Sequence, residues 1–240
     1  MVQIVEIMGR SKQGNTQPFI CKGDDEKVYF VKGMGAGRRS QVCEWIAGNL
    51  ALQCSLPVAP FCLVVVPEEL VGDQLSYKDL GAGLAFGSVR QISTELNYAG
   101  IESIPDDIQR AVLAFDWWVR NEDRTLSESG GNPNLLWSPD REELIVIDHN
   151  QAFDPKFAVE EFLNYHVFSM VSHSLFNDVL YRDEFAALFQ SVLNSWQAIC
   201  DTIPEEWFYA DAEMTVSADF SLDAIFNILE RCTQDNFWNE

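Results

Sequence analysis

Apolar and polar positions alternate over short runs through the first part of the chain. "QPFICKG" and "KVYFVKG" are β-rich runs joined by the turn-forming "GDDE", which predicts a hairpin. "SQVCEWIAGNLALQC" then places Val42, Trp45, Ile46 and Leu50 at helical spacing, with Ser40 as its candidate cap. "FCLVVVP" reads as a buried strand closed by Pro67. After about residue 72 the pattern changes, and "GAGLAFGS" reads as a Gly-rich, irregular connector. "SIPDDIQRAVLAFDWWVRN" predicts a helix capped by Ser103, with Pro105 near its first turn and acids at its positive end. Its inward face would be Ile108, Val112, Phe115 and Val119. "NLLW" and "ELIVID" are two short strands. Beyond them "FAVEEFLNYHVFSMVSHSLFNDVL", "DEFAALFQSVLNSWQAIC" and "SLDAIFNILERC" carry apolar stripes with a period near 3.6. The expectation is an α+β chain: a β-rich lobe over 1–72, then a helical lobe over 73–240.

Composition narrows the classes. With 47% hydrophobic and 22% charged residues over 240 positions, the chain has material for a large core. "PVAPFCLVVVP" is far short of the ~20 apolar residues that span a bilayer. "MVQIVEIMGRSKQ" lacks the basic-then-apolar pattern of a secretory leader. The six cysteines are scattered without a C-x-x-C pair, which predicts reduced thiols in the cytoplasm rather than a disulfide framework or zinc site. A net charge of −21 argues against nucleic-acid partners and anionic membranes. Residues 1–45 nonetheless carry seven Lys/Arg against five Asp/Glu, a concentration that either could hold a polyphosphate or is chance clustering.

Several side chains are placed for chemistry. Strand alternation puts Lys32 beside Phe30, where an ammonium would reach a phosphate or simply snorkel from the strand end. Glu44, one turn inside the following helix, would pair with Lys32 or lie on the helix surface. "MGRSKQGNTQ", with Gly9, Ser11, Gly14 and Thr16, would wrap phosphate oxygens, although it matches no strict glycine-loop pattern. The stretch "NEDRTLSESGGNPNLLW", followed by "ELIVIDHNQAF", says more. Asp123 follows a helix end, and the apolar strand delivers Asp148 at its C-terminal end. Asp148 and an asparagine carbonyl, from Asn132 or Asn134, would hold Mg²⁺, leaving Asp123 to accept a proton from an attacking hydroxyl. Read singly, each is an ordinary capping or loop residue. The five types in this order across a β-then-α chain point to a shared site. His166 and His173, two turns apart on one predicted helix, read as packing. "EEWFYADAEM" reads as a solvated loop or an acidic docking surface.

"DWWVRNEDRT…NPNLLW…LIVIDHNQAF" resembles the HipA-like kinases, especially their short stand-alone form. "FVKG", "CEWIAGNLALQCSLPVAP" and "GLAFGS" resemble other landmarks of that group in the same order, and type II phosphatidylinositol 4-kinases are more distantly similar. The resemblance spans roughly residues 8–155. It implies a two-lobed protein-kinase-like fold that binds ATP and Mg²⁺ and phosphorylates a Ser or Thr hydroxyl on a protein, with a regulatory partner protein open. Lys32 would contact the phosphates and Glu44 would orient it. Asp123 would be the base, Asn132 a metal ligand and Asp148 the principal one. The chain departs from the pattern in two places. "RTLSESGG" inserts a flexible segment, with Ser127 and Ser129 as loop residues or phosphosites, and leaves Asn132 against Asn134 open. Asn150 stands where many such kinases have a glycine, as the residue that tolerates a left-handed turn. Rival readings are a nucleotide-binding pseudokinase, a small-molecule or lipid kinase, and transfer of AMP. The extra N-terminal subdomain of full-length HipA toxins has no counterpart in the likeness, so toxin activity does not follow from it.

Overall fold

The computed structural model describes residues 1–11, 17–72, 74–138 and 140–239. The chain is mixed α+β and divides into two compact units: residues 1–45, 59–92 and 203–219, and residues 46–58, 93–202 and 220–240.

The first unit is built on a closed barrel of β1 (Val2–Arg10), β2 (Phe19–Gly23), β3 (Val28–Lys32), β5 (Gly83–Val89) and β4 (Phe61–Val66), in that order. A parallel pairing of β1 with β4 closes it, through Val2 with Val64 and Gln3 with Val65. Alternate residues point inward, and Ile4, Cys21, Tyr29, Val31, Val64 and Ala85 form the interior. β2 and β3 form the expected hairpin, with Phe19 opposite Val31 and Lys22 opposite Val28. "GLAFGSV" is not an irregular connector: as β5 it pairs with both β3 and β4. Gly87 within it is a packing requirement, because a Cβ there would lie 2.6 Å from Val64 Cγ1 and 3.3 Å from Tyr29 Cδ1. The short α2 (Glu68–Val71) follows β4. α1 (Arg38–Gln53) begins two residues before Ser40, so Ser40 lies inside the first turn rather than capping it. "EEWFYADAEM" is not merely a solvated loop. Trp207 is fully buried and donates through Nε1 to Leu84 O at 2.9 Å, while Glu206 Oε1 accepts from Leu84 N at 2.7 Å.

The second unit centres on α3 (Asp106–Val119), which is buried almost all round from Val112 onward. Its N-cap position is Pro105; Ser103 belongs to a preceding 3-10 turn and caps nothing there. Trp117 and Trp118 anchor it, donating to Phe237 O and Leu229 O at 3.0 and 2.8 Å, and Trp118 stacks on Phe189 at 4.4 Å. Arg231 Nη2 donates to the Trp117 and Trp118 carbonyls, a cation at the negative end of the helix dipole. Arg120, left-handed at φ 51°, ends the helix. The strands "NLLW" and "ELIVID" become β9 (Leu135–Ser138) and β10 (Glu143–Val146), an antiparallel pair extended by β6 (Thr94–Glu95). The inserted "RTLSESGG" is an ordered hairpin, β7 (Thr125–Ser127) with β8 (Gly130–Asn132), not a structureless segment. Ser127 and Ser129 share a hydroxyl–hydroxyl bond of 2.9 Å at its exposed tip. The remaining helices are α4 (Val159–Tyr165), α5 (Ser172–Asn177), α6 (Val179–Leu193), α7 (Trp196–Cys200) and α8 (Leu222–Glu230). The first long predicted helix is therefore broken. His166 ends α4, and Asp178 caps α6 by accepting from Leu180 N. His166 and His173 consequently do not share a helix. Among the described residues, no helix is long and apolar enough to cross a membrane.

Candidate functional site

In the first unit, Lys32 ends β3 on the face opposite Tyr29 and Val31, with Phe86 of β5 as its cross-strand neighbour. Its ammonium pairs with Glu44 on α1, and both side chains are almost fully buried. Gln41, one turn earlier on α1, donates to Lys32 O at 2.8 Å and fixes the strand end against the helix. A charge removed from water this completely is tolerable only when paired, so each partner holds the other in one place. Among the described early cations, Arg10 pairs with Asp79 at 2.8 Å, Lys22 with Glu26 at 2.9 Å and Lys27 with Asp25 at 3.2 Å. Arg38 donates to Tyr209 O and Gln41 Oε1. Ser11 N donates to Pro18 O at 2.8 Å, while Gly14 and Thr16 lie outside the described residues.

In the second unit, the left-handed Arg120 turns the chain out of α3 and delivers Asp123 to a half-buried position. The β7–β8 hairpin then returns the chain so that Asn132 faces the same carboxylate. Asn132 Nδ2 donates to Asp123 Oδ2 at 2.9 Å, and Asn134 Nδ2 donates to the same oxygen at 3.0 Å. The structure thus brings both candidate asparagines to Asp123. Burial raises the Asp123 carboxyl above its ordinary pKa, the two amide bonds oppose that, and the nearby charge of Asp148 pushes it up further. Asp148 follows β10, whose Leu144, Ile145 and Val146 are buried. It is itself the left-handed residue, at φ 58°, whereas Asn150 is not among the positive-φ positions. Asn150 instead donates its N–H to Asp148 Oδ1 at 3.3 Å, and Phe153 N donates to Val119 O at 2.7 Å, docking this turn on the end of α3. His149 is buried with its ring nearly perpendicular to that of Phe115, the centroids 5.9 Å apart.

Beneath this lies a network that pattern reading passed over. Asp116, fully buried on α3, accepts from Arg124 Nε at 2.7 Å, from Asn121 Nδ2 at 2.9 Å and from His166 Nε2 at 3.0 Å. Phe168 N donates to His166 Nδ1 at 3.1 Å, so Nε2 carries the ring proton and the imidazole is neutral. Burial pushes the His166 pKa down, and Asp116 only partly offsets it. For Asp116 burial acts upward, but the Arg124 guanidinium and His166 outweigh it and hold the acid well below the usual carboxylate range. One signal was available: Asp116 is the lone acid in the apolar run "AVLAFDWWV", and such a charge needs a buried partner.

The donor set can be tested against a hard divalent cation. Asp123 and Asp148 are close enough for their charges to repel, which a cation between them would relieve. Both asparagines donate through nitrogen, leaving amide carbonyl oxygens as ligands. Oxygen-only donors suit Mg²⁺; among the described residues no three His, Cys, Asp or Glu side chains are gathered as a metal site.

The first unit thus holds a buried lysine–glutamate pair, and the second holds an aspartate bonded to two asparagines with the charge of Asp148 nearby. The chain matches the family model of the HipA-like kinases over residues 4–240, and it belongs to that family. A search of curated proteins finds no match. Membership in a family of kinases implies a nucleoside triphosphate donor and an acceptor substrate.

Proposed function

We propose that the protein is an ATP- and Mg²⁺-dependent kinase that transfers the γ-phosphoryl group to a Ser or Thr hydroxyl on a protein. The observation that carries this reading is Asp123 Oδ2 held by two amide donors, with the Asp148 charge alongside. In this reading Asp123 accepts the proton of the attacking hydroxyl, and burial raises its pKa, the direction that strengthens a carboxylate base. Asn132 and Asn134 hold Asp123 in one rotamer through their nitrogens and present carbonyl oxygens to the metal. Asp148 is the principal metal ligand. When bound, Mg²⁺ neutralises charge building on the phosphate oxygens. Lys32, held by Glu44, contacts the nucleotide phosphates, with Ser11, Gly14 and Thr16 as further candidate phosphate contacts.

The test is transfer of label from γ-labelled ATP with Mg²⁺, into the chain itself or an added protein acceptor, with intact mass identifying the adduct. Incorporation by wild type and its loss in Asp123→Ala are expected. No incorporation by wild type, or incorporation unaffected by Asp123→Ala, overturns the reading. An adduct of the mass of AMP would reassign the transferred group.

A further inference from the structure

Arg124 stands directly after Asp123, and its guanidinium is fully buried. One side of the fork is anchored through Nε on Asp116. The other side, Nη1, is thereby aimed at three main-chain oxygens: Asn134 O at 2.6 Å, Ile147 O at 3.2 Å and Pro133 O at 3.3 Å. These oxygens come from two segments. One is the link between β8 and β9, which carries Asn134 just after Asn132. The other is the turn after β10, where Ile147 precedes Asp148. Ile147 N also donates to Asn134 O at 3.1 Å, so the segments meet on one carbonyl.

Both segments leave regular geometry at the residue that matters. Asn134 has φ 48° and Asp148 has φ 58°, left-handed conformations that cost a side-chain-bearing residue of order 1 kcal/mol or more. Such conformations persist only where surrounding bonds over-determine them. Arg124 O also accepts from Val167 N at 3.0 Å, which ties the same residue to the segment bearing His166. A lysine could balance Asp116 or reach one carbonyl, but it has no rigid fork to do both.

The geometry points to Arg124 as a positioning residue that holds the Asn132–Asn134 link and the Asp148 turn in register with Asp123, with Asp116 and His166 aiming the guanidinium. This rests on the reading of Asp123, Asn132, Asn134 and Asp148 as the metal–nucleotide site. Groups one step behind metal ligands typically change metal affinity about 10- to 100-fold when altered.

The test compares wild type with Arg124→Lys, which keeps the charge opposite Asp116 but removes the fork, and with His166→Gln, which keeps a donor to Asp116. Binding of Mn²⁺ in the presence of ATP is followed by water-proton relaxation. Amide exchange of peptides spanning 132–135 and 146–150 is measured without ligand. Arg124→Lys is expected to weaken Mn²⁺·ATP binding by about tenfold or more. It should speed exchange in those two peptides while peptides from α6 and α8 exchange as in wild type. Binding and local exchange equal to wild type in folded Arg124→Lys overturn the inference. If Arg124→Lys does not fold, the decision passes to His166→Gln: a smaller weakening in both readouts upholds it, and no change in either overturns it. Wild type that binds Mn²⁺·ATP without transferring phosphate sinks the kinase reading and leaves this one standing. Wild type that binds no Mn²⁺·ATP sinks both.

Discussion

Replacing Lys32 with Met removes one member of a pair whose residues are only 6% and 2% exposed, and takes from Glu44 the ammonium it is bonded to. Breaking a buried pair in this way costs about 3–5 kcal/mol, because the surviving charge has lost its compensation. For a chain of this length each kcal/mol lowers the melting temperature by about 2–4 °C, so Lys32→Met should melt roughly 6–20 °C below wild type. Removing the carboxylate as well, in Lys32→Met/Glu44→Leu, should recover most of the loss, because apolar replacement of a whole buried pair is close to neutral. The Gln41 bond to Lys32 O uses the main chain and survives in both variants. Thermal and denaturant melts of the two variants, with Glu44→Leu closing the cycle, measure the coupling. A drop below about 2 °C for Lys32→Met, or no recovery in the double variant, would refute the description of a mutually compensated buried pair.

Three further expectations follow from the same geometry. Asp123→Asn should slow phosphoryl transfer about 10²–10⁴-fold while leaving nucleotide binding intact, and initial rates within a few-fold of wild type would remove Asp123 from the base role. The Asp123 carboxyl titrates above an ordinary aspartate, so folded protein keeps this proton where unfolded chain has lost it. Its contribution to stability therefore falls as pH rises between the two pKa values. Carbon-detected NMR titration should show Asn134→Ala moving that carboxyl further up and Asp148→Asn moving it down; opposite shifts would contradict the assignment of causes. Gly87→Ala should cost about 1–3 kcal/mol by forcing a methyl against Val64 and Tyr29, and an unchanged melting temperature would show that the barrel has room there.

Much of the architecture follows from periodicity. The β2–β3 hairpin, β4, α3 and the buried β10 each carry a pattern with one reading, because strand alternation and a helix stripe have different periods. β5 escaped because glycine normally punctuates structure, whereas Gly87 is glycine to admit Val64 and Tyr29. The β7–β8 hairpin escaped because its strands are three residues each and solvent-facing, too short and polar to show alternation. The long helix expected across His166 breaks because the His166 ring is committed to Asp116 and the Phe168 amide, and such polar bonds override a local apolar period.

The site was legible where it depends on side-chain type and order. The Lys32–Glu44 pair is a contact between groups whose chemistry can be read from their letters, whereas the asparagines, read as metal ligands, are found donating to Asp123. Arg124 was not legible in its role, since its acceptors are main-chain carbonyls that have the same identity in any sequence.

The measurement that bears most directly on the account is ATP binding by titration calorimetry, with Mg²⁺ and with a chelator, for wild type and three variants. Wild type should bind in a metal-dependent way, Asp148→Asn should lose that dependence, Lys32→Met/Glu44→Leu should bind more weakly with or without metal, and Asp123→Asn should bind nearly as wild type does. Affinity in Asp148→Asn and Lys32→Met/Glu44→Leu indistinguishable from wild type would contradict the account.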